Sequence, residues 1–240
     1  MRVVTTVHKA GYEQYGHRWV KSIPNWPMAE FIMYAEGFDP SCDFKRIESL
    51  ERLEAFKKRH QNYVPSSWEF DIVRYSNKVF AAYDAFYDYK GLCVWLDADC
   101  VTYKKLPRGF IDKQLPPGSY MALFQRAGLH TETGFWLIDG SHPEHQAFLD
   151  TWIAWFETDE FKNLRQWHDC TTLDATVKLF ARDGRIKTHN LSGQFAKDGH
   201  PMSKVELGKY IDHCKGRRKT LGFSPENIDS KKAHSLREAA

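Results

Sequence analysis

Two aspartates stand one residue apart at the end of an apolar run: Asp97 and Asp99 in GLCVWLDADCVTYKKLP, Gly91 to Pro107. Leu92 to Leu96 have the length and composition of a buried β-strand. Side chains of an extended chain alternate between faces, so residues 97 and 99 present their carboxylates to the same side. Two like charges left unpaired at a strand end cost free energy. A shared hard cation removes that cost. Mn²⁺ and Mg²⁺ take oxygen ligands and are commonly shared with substrate phosphates. Such a cation neutralises a departing diphosphate as a Lewis acid. Aspartates that only cap a turn are the structural alternative.

A second group of residues could serve the same object. YIDHCKGRRKTLGF, Tyr210 to Phe223, contains His213, Gly216 and Lys219 in the spacing H-x-x-G-x-x-K. An imidazole is a borderline third ligand for the cation. A glycine lets backbone N–H groups approach phosphate oxygens, and a lysine three residues on adds positive charge. Asp97, Asp99 and Val101 also fit DxDx[TV], the nucleophile motif of haloacid-dehalogenase-like phosphatases. That chemistry needs a later acidic pair for Mg²⁺, and neither DD nor GDxxxD follows. A nucleotidyltransferase would use the same carboxylates on a triphosphate, but it usually carries an early Gly-rich basic loop, and HKAGYEQYG is a poor one. A non-catalytic module that binds sugar nucleotides or glycans could keep the fold without a metal triad.

The elements that must position these groups alternate. Arg2 to Val7 and Glu30 to Gly37 read as strands, with a helix between them ending near Pro24. Ile47 to His60 reads as an amphipathic helix with charges outward. The next helix starts from a capping box, Ser66 with Glu69 three residues on, and carries Ile72, Tyr75, Val79, Ala82 and Phe86 at helical spacing. The Asp-bearing strand follows. GSYMALFQR and TGFWLIDG read as further strands, and PEHQAFLDTWIAWFETDEF and CTTLDATVKLFARDG as helices. This is an α/β pattern with a mostly parallel sheet, in which ligands sit beyond the carboxyl ends of strands. Residues 1–225 are expected to form a single domain and 226–240 a polar C-terminal tail.

Composition excludes several classes. The net charge of +3 implies no nucleic-acid partner. No apolar run is long enough to span a membrane, and MRVVTTVHKAG is too short an apolar stretch for a signal peptide. The five cysteines, Cys42, Cys93, Cys100, Cys170 and Cys214, are odd in number and show no CxxC pair, which points to a reducing, cytoplasmic compartment. The basic stretches Lys215 to Lys219 and Ser230 to Arg237 offer a peripheral membrane contact. Aromatic residues make up 15% of the chain, enough for a large aromatic core with some rings left for stacking sugars or a base.

WLDADCVTYKKLP followed far later by HCKGRRK resembles the retaining glycosyltransferases of family 8, which have a GT-A fold, a Rossmann-like mostly parallel sheet flanked by helices. The group includes glycogenin and bacterial lipopolysaccharide galactosyl- and glucosyltransferases. The resemblance implies transfer of a hexose from a nucleotide diphosphate sugar, by analogy a UDP-hexose, to a glycan or other hydroxyl acceptor. It implies Mn²⁺ (or Mg²⁺) on Asp97, Asp99 and His213, with Ala98 between the aspartates among the donor-binding residues. Gly216 and Lys219 would hold the diphosphate. Tyr12 would stack on uracil beside backbone groups of Thr5, Thr6 and Val7. Lys78, rather than Arg74 four residues before it, would be the basic residue on the preceding helix, and Gly134 would lie against the donor sugar. Asp169, rather than Asp174, would sit beneath the anomeric carbon, with Trp167 and His168 as acceptor walls. The family's Pro-Trp after the lysine is replaced by Thr220 and Leu221.

Overall fold

Along each central strand, neighbouring residues join different cores. On Leu92–Leu96 (β4), Cys93 and Trp95 belong to one apolar cluster, and Val94 and Leu96 to another. Glu132–Asp139 (β7) divides the same way, Trp136 and Ile138 against Phe135 and Leu137. Period-two alternation with both faces apolar is what a sheet covered on both sides requires. The computed structural model, which describes residues 1–238, builds that sheet.

The remaining strands are Arg2–His8 (β1), Glu30–Glu36 (β2), Phe44–Arg46 (β3), Cys100–Thr102 (β5), Met121–Phe124 (β6), Thr188–Asn190 (β8) and Ile211–His213 (β9). Among the described residues, seven of the nine strands form one sheet in the order β3-β2-β1-β4-β7-β6-β8, in which only β7 runs against its neighbours. The expected mostly parallel sheet is present. The helices are Lys9–Gly11 (α1), His17–Ser22 (α2), Glu51–Arg59 (α3), Ile72–Phe86 (α4), His145–Glu157 (α5), Asp169–Arg182 (α6), Arg218–Leu221 (α7) and Ile228–Glu238 (α8). One core holds Phe56 of α3, Phe80 of α4, Trp152 of α5 and Phe180 of α6. Trp19 of α2 packs on the other face with Phe31, Met202 and Leu207.

Some local readings shift. Ser66 does not cap α4. Ser67 caps a short 3₁₀ turn, Trp68–Phe70, and the side chain of Asp71 accepts the Arg74 N–H to open the helix. The adjacent serine is used by a turn that helical periodicity does not register. The helix expected from Ile47 begins at Glu51, after a 3₁₀ turn Ile47–Ser49. Past residue 225, where a polar tail was expected, the chain forms α8; Asn227 and Ser230 at its start are buried. Residues 239–240 of that expectation lie outside the described residues. Among the described residues no helix is long and apolar enough to cross a membrane.

Two features bring distant segments to the carboxyl end of β4. Antiparallel β7 pairs Phe135 with Leu96, so Glu132, Thr133 and Gly134 lie beside Asp97 and Asp99. The Asp97 N–H donates to the Gly134 carbonyl at 2.8 Å. A separate two-stranded ribbon pairs β5 with β9, setting Cys100 opposite His213.

Candidate functional site

A cleft of about 970 Å³ opens at this edge. It is at the upper end of what small-molecule sites occupy. Of the candidate site residues singled out in the sequence, Thr6, Val7, Arg74, Lys78, Asp97, Ala98, Asp99, His168, Asp169, His213, Gly216 and Lys219 line it.

Lys78 is the hub of the inner wall. It projects from α4 and is buried, with Nζ 2.8 Å from Asp97 Oδ1 and 2.9 Å from Asp169 Oδ2. It also donates to the carbonyl and hydroxyl of Thr133, each at 3.2 Å. Burial alone would lower its pKa, but the carboxylates of Asp169 and Asp97 more than offset this and raise it above the ordinary lysine value. Asp169 is the first residue of α6, where the helix dipole favours negative charge. Its burial raises the carboxyl pKa, yet Lys78 and the Thr133 hydroxyl, which donates at 2.7 Å, hold it below the usual carboxylate range. Asp97 Oδ1 also accepts the Trp95 indole N–H at 2.7 Å.

The outer wall centres on Asp99 and His213. His213 Nε2 lies 3.2 Å from Asp99 Oδ1, and Lys219 Nζ lies 3.1 Å from Asp99 Oδ2. The other ring nitrogen faces Glu132 Oε1 at 3.3 Å, without hydrogen-bond alignment. Burial lowers the His213 pKa, but Asp99 and Glu132 outweigh it and push it up to about 10. Glu132 is itself buried, which raises its pKa, but His213 and Lys215 hold it well below the carboxylate range. Gly134 is not part of the cleft lining; it lies beneath His213. A Cβ at position 134 would meet the ring carbon Cε1 at 2.3 Å, so only glycine admits the imidazole there. Gly216 has φ +62°, the left-handed conformation that turns the loop between Lys215 and Lys219.

Other residues sit elsewhere. Thr5 is buried in the sheet, its hydroxyl unpartnered. Tyr12 packs against Phe38 with ring centroids 4.8 Å apart and bonds Ser41, outside the cleft lining. Tyr15 lines the cleft instead, with Lys219 Nζ 4.4 Å from its ring centroid. Both tyrosines lie in a π-helical turn, Tyr12–Gly16. Trp167 packs on Tyr63, Phe70 and Phe161 rather than on the cleft. Asp174 pairs with His130 at 3.3 Å. Of the basic stretch from Lys215 to Lys219, Lys215, Arg218 and Lys219 are engaged with Glu132, Glu226 and Asp99.

Sequence reasoning assigned no role to Glu132, Thr133 or Trp95. A glutamate and two threonines at the head of an otherwise apolar strand were the signal for the first two. Among the described residues, the metal-capable groups are Asp99–Cys100–His213, Glu132–His200–His213 and His168–Asp169–Cys170, the ligand atoms of each lying within 4.8 Å of one another. Asp97 belongs to none of these; Lys78 and Trp95 hold its Oδ1.

No protein-family model matches the sequence, and no curated protein matches it. Solved structures do. The galactosyltransferase LgtC, in complex with donor and acceptor sugar analogs, superposes with a TM-score of 0.58 at 12% identity, over 100% of this chain and 96% of that one. Mouse xyloside xylosyltransferase 1, apo form, gives 0.53 at 12% identity, over 91% and 98%. The glycosyltransferase GlyE of Streptococcus pneumoniae TIGR4 gives 0.51 at 13%, over 99% of this chain and 63% of that one. The chain has the GT-A fold of these glycosyltransferases.

Proposed function

We propose that this chain is a metal-dependent glycosyltransferase that moves a hexose from a UDP-sugar to an acceptor hydroxyl with retention of configuration. The observation that carries the reading is the convergence in one cleft of Asp99, His213 and Lys219 on one wall and Lys78 with Asp169 on the other. The two walls suit the two charges of the reaction, a negative leaving group and a positive sugar.

The residues present fit a divalent cation. Asp99 and His213 offer a hard oxygen and a borderline nitrogen donor, of the kind Mn²⁺ and Mg²⁺ take alongside phosphate oxygens; His213 would give up the proton its carboxylate neighbours hold there, and Asp97, whose Oδ1 is held by Lys78 and Trp95, would join through its other oxygen. The bare Cα of Gly134 accommodates the His213 ring, whose Nε2 faces Asp99 at 3.2 Å. When bound, the cation would supply Lewis-acid neutralisation of the diphosphate. The rest falls to the chain. Lys219 leaves Asp99 to pair with phosphate oxygens, and the turn at Gly216 presents backbone N–H groups to them. Thr6 and Val7 at the end of β1 border the base. Lys78 keeps Asp169 ionised and fixed in direction. Cleavage of the C1–O bond builds positive charge on the sugar, and the Asp169 carboxylate stabilises that oxocarbenium-like state or forms a bond to C1. The acceptor hydroxyl then bonds C1 and gives its proton to the departing phosphate oxygen.

Calorimetric titration of UDP with Mn²⁺ and then with EDTA tests the metal, and a screen of sugar nucleotides for UDP release tests the chemistry. Binding is expected only with the cation, and release only from a UDP-hexose. Equal UDP affinity in both buffers, with no turnover, would instead make the chain a plain binding module.

A further inference from the structure

The cleft continues past Asp169 into a mouth that the steps above leave unused. Contacts order it. Lys219 joins Asp99 on the diphosphate side, Lys78 joins Asp97 to Asp169, His168 adjoins Asp169, and Trp68 stacks on His168. Trp68 therefore lies beyond the reaction centre from the diphosphate. Its side chain is 64% exposed, although the 3₁₀ turn that carries it is pinned: the Glu69 carbonyl accepts the Trp167 N–H at 2.8 Å, and the Gln166 amide donates to the Glu69 carboxylate. The indole and the His168 ring lie 6.0 Å apart at 23°. Tyr75 and His130 meet His168 edge-on, at 5.8 and 5.1 Å. His168 is buried and its Nδ1 has no hydrogen-bond partner.

A large indole face held open to solvent on a fixed turn is an unfavourable surface unless something covers it. Its surroundings say what. Glu69, Arg74, Gln166 and His130 line the same mouth. A lipid tail or an apolar peptide would leave those polar groups desolvated and unpaired. A pyranose matches both features: its axial C–H bonds form an apolar face for the negative face of the indole, and its equatorial hydroxyls reach a polar rim. Resting on the glycosyltransferase reading above, we propose that Trp68 is the platform of an acceptor subsite and that the acceptor is a glycan presenting a pyranose.

Saturation-transfer NMR tests this without turnover, using methyl β-glucopyranoside, methyl β-galactopyranoside and methyl N-acetyl-β-glucosaminide as probes and cyclohexanol as an apolar control. At least one glycoside should receive saturation at its axial protons, and cyclohexanol should not. Trp68→Ala should raise that glycoside's dissociation constant about tenfold, and Trp68→Phe by about threefold or less, the range of an aromatic stacking contact. Mn²⁺-dependent UDP affinity should be the same in both variants, and both should melt as the unsubstituted protein does, since the indole is exposed. Undiminished glycoside binding in Trp68→Ala, equal saturation of cyclohexanol, or no glycoside bound while UDP binds would each overturn the subsite and leave the donor reading standing. Trp68-dependent glycoside binding without any UDP binding would do the reverse.

Discussion

Lys78 reaches Asp97 and Asp169 from within the fold, whereas Lys219 and His213 reach Asp99 from the far end of the chain. The inner wall is built by a long helix, a central strand and the first turn of another helix. The outer wall hangs on a three-residue strand, a glycine in the left-handed conformation and the four-residue α7. Charges on rigid elements need not reorganise as the sugar becomes positive, which is where electrostatic stabilisation is most effective. Charges on short elements can part to admit a diphosphate and close over it. On the proposed reaction, the division of labour would follow from which elements carry each wall.

The sharpest way to break this comparison is Asp169→Asn. If the inner wall acts on the transition state alone, turnover should fall by about 10²–10⁴-fold, the scale of a lost electrostatic stabiliser or acid–base group. UDP affinity should stay within about threefold, because the leaving group is held elsewhere. Steady-state kinetics beside UDP calorimetry reads both, and a proportionate loss of UDP binding would show that the walls are not separate.

Stability should separate them next. Lys78→Met leaves Asp97 and Asp169 facing each other without their shared cation. Removing one partner from a buried pair costs about 3–5 kcal/mol, seen as a drop in denaturation midpoint. Lys215→Met, whose partner Glu132 keeps His213, should cost less than half as much. Equal losses would mean that the outer wall is as integral to the fold as the inner.

Lys219→Ala should then weaken UDP about 10–100-fold, the worth of one or two charge-assisted hydrogen bonds, while uridine, which has no phosphate, loses little. Competition of the two ligands against a fluorescent uridine nucleotide gives the ratio. A uniform loss would place Lys219 at the base rather than the phosphates.

How much of this was legible depended on whether a residue's role was local. Asp97 and Asp99 announce themselves because two charges follow an apolar strand. His213, Gly216 and Lys219 do so because one loop holds all three. Glu132 has no such spacing. Its meaning comes from antiparallel β7, which sets its first residues beside β4, and pairing direction is not written in a strand's own composition. Tyr12 is singled out because it follows the first strand, but it packs on Phe38, and Tyr15, which carries no such signal, lines the cleft. Trp68 was hidden inside a segment read as the start of a helix. Only the 3₁₀ turn and the separate Asp71 cap free it to face outward.

The smallest expected effect tests what holds the outer wall in place. Asp212 precedes His213 and is buried, with Oδ2 accepting the Ser224 N–H and the Ser230 hydroxyl, both at 2.6 Å. Ser224 Oγ donates in turn to the His213 carbonyl at 3.2 Å. One carboxylate thus ties the start of the 214–223 loop to its end and to α8, where this chain lacks a Pro-Trp pair after its lysine. Asp212→Asn keeps the shape but weakens both bonds, since hydrogen bonds to a charged acceptor are about twice as strong as neutral ones. It also places an amide N–H₂ where buried Oδ1 has no partner. The expected cost is about 1–2 kcal/mol, and it should fall on the loop. Amides of residues 214–223 should exchange about 5–30-fold faster, those of β4 and β7 should not change, and Mn²⁺-dependent UDP affinity should drop by a smaller factor. Faster exchange throughout the sheet would mean that Asp212 supports the whole fold and that the outer wall has no hinge of its own.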